Sequence, residues 1–159
     1  GLTNGVIPMG AVLATDAIYQ AFMQGPEQSI ELFHGYTYSG HPVAAAAGLA
    51  TLDVYREEGS FDQARELETM FAEAIHQFDD HPMVIDVRNF GLMGAIELAP
   101  REGAPGARGL DAHKHCFWDQ DLVIRNGMDI LQFSPFLNSK PDDIHSMFDS
   151  VRLVLDKIN

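Results

Sequence analysis

The run Val6-Ile7-Pro8-Met9-Gly10-Ala11-Val12-Leu13-Ala14 is almost continuously apolar. Such a run suits a strand buried on both faces, as in a parallel sheet, and so sets the start of the chain in an α/β layer. Pro8 and Gly10 mark an end or a bulge of that strand. Thr15-Asp16 then caps a short helix through Phe22, and a loop with Gly25-Pro26 occupies Met23 to Glu31.

A second, longer helix begins at or near Pro42, because a missing N–H costs nothing at the first helical position. It runs to about Glu58 and stops at Gly59, a suitable C′ residue. Ser60 to Gln63 has capping-box spacing for a third helix, in which Leu67, Phe71, Ala74, Ile75 and Phe78 share one face. From residue 83 the period changes. Met83 to Arg88 and Leu92 to Leu98 read as two strands around the turn Asn89-Phe90-Gly91. Residues 99–109 form a loop, and a helix follows from about Leu110 to Gln120. Leu122 to Arg125 and Asp129 to Phe133 are read as a hairpin around Asn126-Gly127. A last helix from near Pro141 buries Ile144, Met147, Phe148, Val151 and Leu155. Residues 1–58 thus look like the tail of an α/β layer, and 59–159 like a small α+β unit with an antiparallel sheet.

Ten basic residues stand against 23 acidic ones, a net charge of −13. That balance argues against nucleic acid or an anionic membrane as partner. No stretch reaches the roughly 18 apolar residues of a membrane span, and Gly1 to Gly5, lacking a basic start and a long apolar run, are not expected to open a signal peptide. Cys116 is the only cysteine, which excludes an intrachain disulfide and fits a reducing cytoplasm.

Three places invite a chemical reading. Tyr36-Thr37-Tyr38-Ser39-Gly40 lies directly before the second helix, where free N–H groups, the positive dipole end and the Thr37 hydroxyl favour an anion. The plainer reading is that Ser39 or His41 caps the helix while the tyrosines pack nearby. Arg125 ends a short apolar strand, where its planar fork could clamp a carboxylate; the plainer reading is an exposed turn arginine or a partner for Asp129. His113-Lys114-His115-Cys116 contains ligand residue types, but His113 and His115 point to different helix faces and no second cluster accompanies them. No metal is expected there, and Cys116 reads as a small buried thiol.

Four segments carry a resemblance: "GLTNGVIPMGAVLA", "HGYTYSGHPVAAAAGLATLDVYREEG", "VIDVRNFGLMGAIELAPREG" and "VIRNGMDILQFSPFLNSKPDDI". In one collinear order, they resemble class III pyridoxal-phosphate aminotransferases, nearest in kind to ω-amino acid–pyruvate (β-alanine–pyruvate) transaminases. The resemblance implies a fold type I enzyme of which this chain is the C-terminal portion. Residues 1–58 would close the cofactor-binding large domain, with a post-lysine strand, a phosphate loop and a long helix; residues 59–159 would be the small C-terminal α+β domain.

The same resemblance implies a homodimer or tetramer with sites at the subunit interface. Thr37, with the backbone around Tyr36, would bind the phosphate of the neighbouring subunit's pyridoxal 5'-phosphate. Arg125 would bind the substrate carboxylate and swing aside for substrates lacking one. The Schiff-base lysine would immediately precede Gly1, since none of Lys114, Lys140 and Lys157 matches it. The isolated chain is therefore expected to lack catalytic residues and activity, while the full protein would move an amino group from an ω-amino acid or amine to pyruvate. The alternative is a non-catalytic assembly or anion-binding module of the same ancestry. Apolar surface left open on the isolated piece is a further expectation.

Overall fold

A computed structural model describes residues 1–29 and 32–158, so the end of the loop expected to reach Glu31 lies outside the described residues. The chain divides into two compact units, Gly1–Glu58 and Gly59–Asn159.

The first unit holds helices α1 (Asp16–Phe22) and α2 (Pro42–Glu57). Pro42 opens α2 as its sequence position predicts, and Gly59 follows it at φ +62°. Residues 1–9 lie along α2. Tyr55 donates its hydroxyl to the Gly1 carbonyl at 2.8 Å, and Met9 Sδ would stand 3.4 Å from a Cβ at Gly48. Thr3 turns this segment by donating to the Ile7 carbonyl at 2.6 Å.

The strand expected over Val6–Ala14 does not form. Among the described residues no strand pairs with it, and Val12 and Leu13 are 97% and 93% exposed. The reason is that a strand exists only through its neighbours: an apolar run without a ladder on either edge gains neither hydrogen bonds nor burial. Phe33, Tyr36 and Tyr38 are also exposed. The expected open apolar surface is present in this unit.

The second unit is built from α3 (Ser60–His76), β1 (Val84–Phe90), β2 (Met93–Leu98), α4 (Ala107–Gln120), β3 (Arg125–Gly127), β4 (Ile130–Phe133) and α5 (Pro141–Ile158). Its four strands are antiparallel in the order β1-β2-β4-β3. Val87, Ile96 and Leu131 stand in register and are buried with Phe71 and Ile75 of α3, Ala112 and Cys116 of α4 and Phe148 of α5. All three helices thus contribute to one core on one face of the sheet. Phe148 is its hub, with ring centroids 5.4 Å from Phe71, 5.3 Å from Phe133 and 6.0 Å from Phe78. Truncating it to alanine would cost about 3–5 kcal/mol.

Several local expectations change here, among them the first turn, which falls on Gly91-Leu92 with Asn89 and Phe90 inside β1. Gly59, not Ser60, is the N-cap of α3, so Ser60 is the first helical residue and is buried instead of capping. The fourth helix starts at Ala107, three residues before the position expected. The hairpin turn falls on Met128-Asp129, with Arg125, Asn126 and Gly127 inside β3 and Leu122 to Ile124 outside any strand. The local Asn-Gly signal loses because Asp129 is drawn onto the start of α4, as described below.

Candidate functional site

Each unit carries one candidate site. In the first unit, Tyr36 to Ser39 forms a tight turn in which Ser39 N–H donates to the Tyr36 carbonyl at 3.0 Å and Tyr36 N–H donates to Ser39 Oγ at 3.2 Å. His41 is the N-cap of α2, its Nδ1 accepting from Val43 N–H at 3.2 Å. The rings pair locally, His34 with Tyr36 and Tyr38 with His41. The capping and packing of the plainer reading are therefore real, and they leave Thr37 untouched. Among the described residues, neither the Thr37 hydroxyl nor its N–H makes a hydrogen bond. The segment thus presents an exposed hydroxyl and a free N–H at the front of a 16-residue helix. Those donors fit a phosphate. Tyr36 contributes its carbonyl and N–H to the turn itself.

In the second unit, cross-strand register puts Arg88, Ala95, Gln132 and Arg125 in one row on the sheet face opposite the core. The two arginines at the ends of this row differ. Arg88 is engaged by Asp86 and by Glu97 at 3.1 Å. Arg125 is exposed, and its side chain makes no ion pair or hydrogen bond among the described residues. It lines an open cavity of about 860 Å³ together with Gln132, Ser134, Phe136, Ser139 and Asp143. Asp143 already accepts the Lys140 N–H at 2.8 Å, at the start of α5. A planar, unpaired guanidinium on a largely apolar wall is suited to a carboxylate.

The suggestion that Asp129 pairs with Arg125 is not realised. The Asp129 carboxylate is buried and accepts the backbone N–H groups of Gly106 and Gly109, the latter at 2.9 Å. It caps α4, whose own N-cap is Gly106 and offers no side chain. Sequence reading missed this role because the two partners lie 20 and 23 residues away.

The His113–Cys116 segment is spread over separate partners. His113 Nδ1 faces the Ile124 carbonyl at 2.9 Å, whereas His115 Nδ1 faces Asp119 at 2.7 Å. Cys116 is fully buried, and that burial pushes its thiol up to about 11. A thiol held so far from ionisation is a poor nucleophile at neutral pH. Among the described residues no group of three metal-ligating side chains occurs, and no helix is long and apolar enough to cross a membrane.

The sequence profile of the class-III aminotransferases matches residues 1–155. An omega-aminotransferase of Caulobacter vibrioides is 49% identical over 159 residues, which are all of this chain and 36% of that protein. A beta-alanine–pyruvate aminotransferase of Pseudomonas aeruginosa is 45% identical over 99% of this chain and 35% of its own length. A solved transaminase structure from directed evolution by ancestral reconstruction superposes with a TM-score of 0.85 at 27% identity, over 99% of this chain and 36% of that one. The fold, an α/β piece of a fold type I transaminase with a small antiparallel sheet, agrees with that expected from the sequence. The chain belongs to the class III aminotransferases. It spans about a third of the length of the curated relatives it matches.

Proposed function

We propose that these residues form part of an enzyme that moves an amino group from an ω-amino acid or amine, of the β-alanine type, to pyruvate with pyridoxal 5'-phosphate. The observation that carries this reading is Arg125, an unpaired guanidinium on the wall of an open cavity in a chain of this family. Its fork would hold the substrate carboxylate by two parallel hydrogen bonds, fixing the distance at which the amine or keto end is presented. The cavity wall around it is largely apolar, so the same pocket would take an amine without a carboxylate once the arginine side chain turns away.

Thr37 would donate its hydroxyl and N–H to the cofactor phosphate, aided by the dipole of α2. In a homodimer or tetramer, the phosphate served by Thr37 is that of the neighbouring subunit. When bound, pyridoxal 5'-phosphate supplies the electron sink for the exchange. The lysine that holds it lies outside these 159 residues. All three lysines present belong to the second unit, and Lys157 is already paired with Asp119 at 2.6 Å. A reduced, buried Cys116 suits a cytoplasmic setting.

Two measurements test the proposal. The full-length protein is expected to form alanine from β-alanine and pyruvate, and replacing Arg125 with leucine is expected to raise KM for both carboxylate substrates by about tenfold or more. Absence of alanine formation with β-alanine and with simple amines alike would overturn the reaction assigned. The 159-residue chain alone is expected to show no turnover, and measurable turnover would show that its own lysines suffice.

A further inference from the structure

Arg125 stands on β3, a three-residue strand at the edge of the sheet. Only β4 pairs with it, so ladder bonds come from one side. Beyond this ladder, two side-chain contacts tie the backbone on either side of Arg125 to α4 and its N-cap, while the Leu98 N–H of β2 donates to the Asp129 carbonyl at 2.9 Å. On the N-terminal side, His113 Nδ1 is 2.9 Å from the Ile124 carbonyl oxygen. A carbonyl only accepts, so the proton sits on Nδ1. On the C-terminal side, Asp129 receives the Gly106 and Gly109 N–H groups at the positive end of α4.

Both anchor points are interior, with Ile124 5% and Asp129 6% exposed. The seat is also tight. A Cβ at Gly109 would meet the Met128 carbonyl oxygen at 2.1 Å and Asp129 Cα at 2.8 Å. The turn therefore rests directly on the α4 backbone, with no side chain between them to give way. Arg125 is thus exposed at its guanidinium and fastened on both sides of its backbone.

We propose that His113 and Asp129 are positioning residues for Arg125, fixing the chain on either side of it to α4 and so setting where the guanidinium can reach in the cavity. This rests on the reading of Arg125 as the carboxylate ligand. A bidentate fork depends on geometry, so a small displacement of its backbone weakens carboxylate binding and leaves the handling of carboxylate-free amines alone.

The test uses the full-length holoenzyme and four variants: Asp129→Asn, His113→Leu, His113→Asn and Arg125→Leu. KM for β-alanine and pyruvate is measured beside the single-turnover donor reaction of an amine without a carboxylate, and the thermal midpoint is recorded. Asp129→Asn and His113→Leu are expected to raise KM for carboxylate substrates by about tenfold while the carboxylate-free reaction stays within about twofold. His113→Asn, which returns an N–H near the Nδ1 position, is expected to recover most of that loss. An equal fall for both substrate classes, tracking the thermal midpoint, would reduce the two residues to structural ones and overturn the inference. So would unchanged KM values beside a raised KM for Arg125→Leu. If Arg125→Leu itself leaves KM unchanged, the carboxylate reading fails and takes this inference with it. Should Asp129→Asn not fold, His113→Leu leaves the turn intact and decides the outcome.

Discussion

Gly109 and Asp129, twenty residues apart, meet through a 2.9 Å hydrogen bond from the Gly109 N–H to the carboxylate, and the Met128 carbonyl occupies the space where a Gly109 side chain would stand. The glycine is required by close approach and not by its backbone angles, since its φ lies in the ordinary helical range. Replacing Gly109 with alanine must push the hairpin turn off α4, because the obstructing atoms are backbone. The expected cost is about 1–3 kcal/mol or more, read as a lower denaturation midpoint of the second unit. Gly94→Ala provides the comparison. Its Cβ would fall 2.5 Å from Ile75 Cδ1 and 3.0 Å from the Phe71 ring, side chains that can shift in part, so it is expected to destabilise less. An unchanged midpoint for Gly109→Ala would refute the tight seat.

The contrast between these contacts and the chain's local patterns shows what the sequence discloses. The burial of Leu67, Phe71, Ala74 and Ile75 on α3 is written in a 3.6-residue repeat and needs no knowledge of the partner. Pro42 and Gly59 mark the ends of α2 through their own backbone chemistry. Arg125 and Thr37 stand out because a fork at a strand end and a hydroxyl before a helix are local features. The turn at Met128-Asp129 is different: a local Asn-Gly preference is outweighed by two hydrogen bonds to residues far along the chain. Val6–Ala14 is different again, since an apolar run becomes a strand only where neighbours complete its ladder.

Asp119 ties α4 to α5. It accepts from Lys157 Nζ at 2.6 Å and faces His115 Nδ1 at 2.7 Å. The hydrogen bond from Lys157, and then that from His115, hold its carboxyl below the usual carboxylate range. A depressed folded-state value means that its contribution to stability is present above the ordinary carboxylate pKa and is lost as pH falls through the folded one. Carboxyl carbon chemical shifts followed by NMR are expected to show Asp119 titrating below the usual carboxylate range. Lys157→Met should move it back up, and a titration unaffected by that substitution would dismiss the pairing.

Thr37 separates a phosphate clamp from a mere turn. Its hydroxyl supports no hydrogen bond of the loop, so Thr37→Val is expected to leave folding of the full-length protein unchanged. Loss of a hydrogen bond to a charged group weakens binding by about 1.5–3 kcal/mol, roughly ten- to a hundredfold in affinity for pyridoxal 5'-phosphate. Thr37→Ser, which keeps the hydroxyl, should retain most of the affinity. Cofactor absorbance after stepwise dialysis measures both, and equal retention by wild type and Thr37→Val would remove Thr37 from the phosphate site.

Cys116 gives the second unit a weakness in alkali. Its thiol lies in the core with Ala112, and burial raises it from the model-compound value of 9.0 to about 11. Between those values the unfolded chain releases the proton while the folded one retains it, so the unfolded state binds fewer protons and stability falls as pH rises. The contribution is intact below about pH 9 and is lost through about pH 11. At pH 8 only about one native thiol in a thousand is ionised, so a disulfide reagent should react at a rate limited by opening of the core. Cys116→Ala removes the titrating group at the cost of a small cavity. Its denaturation midpoint should start lower at pH 7 and decline less steeply toward pH 11 than that of the parent chain. Parallel declines of the two proteins would show that other groups govern the alkaline transition, and rapid native-state labelling at pH 8 would contradict the burial itself.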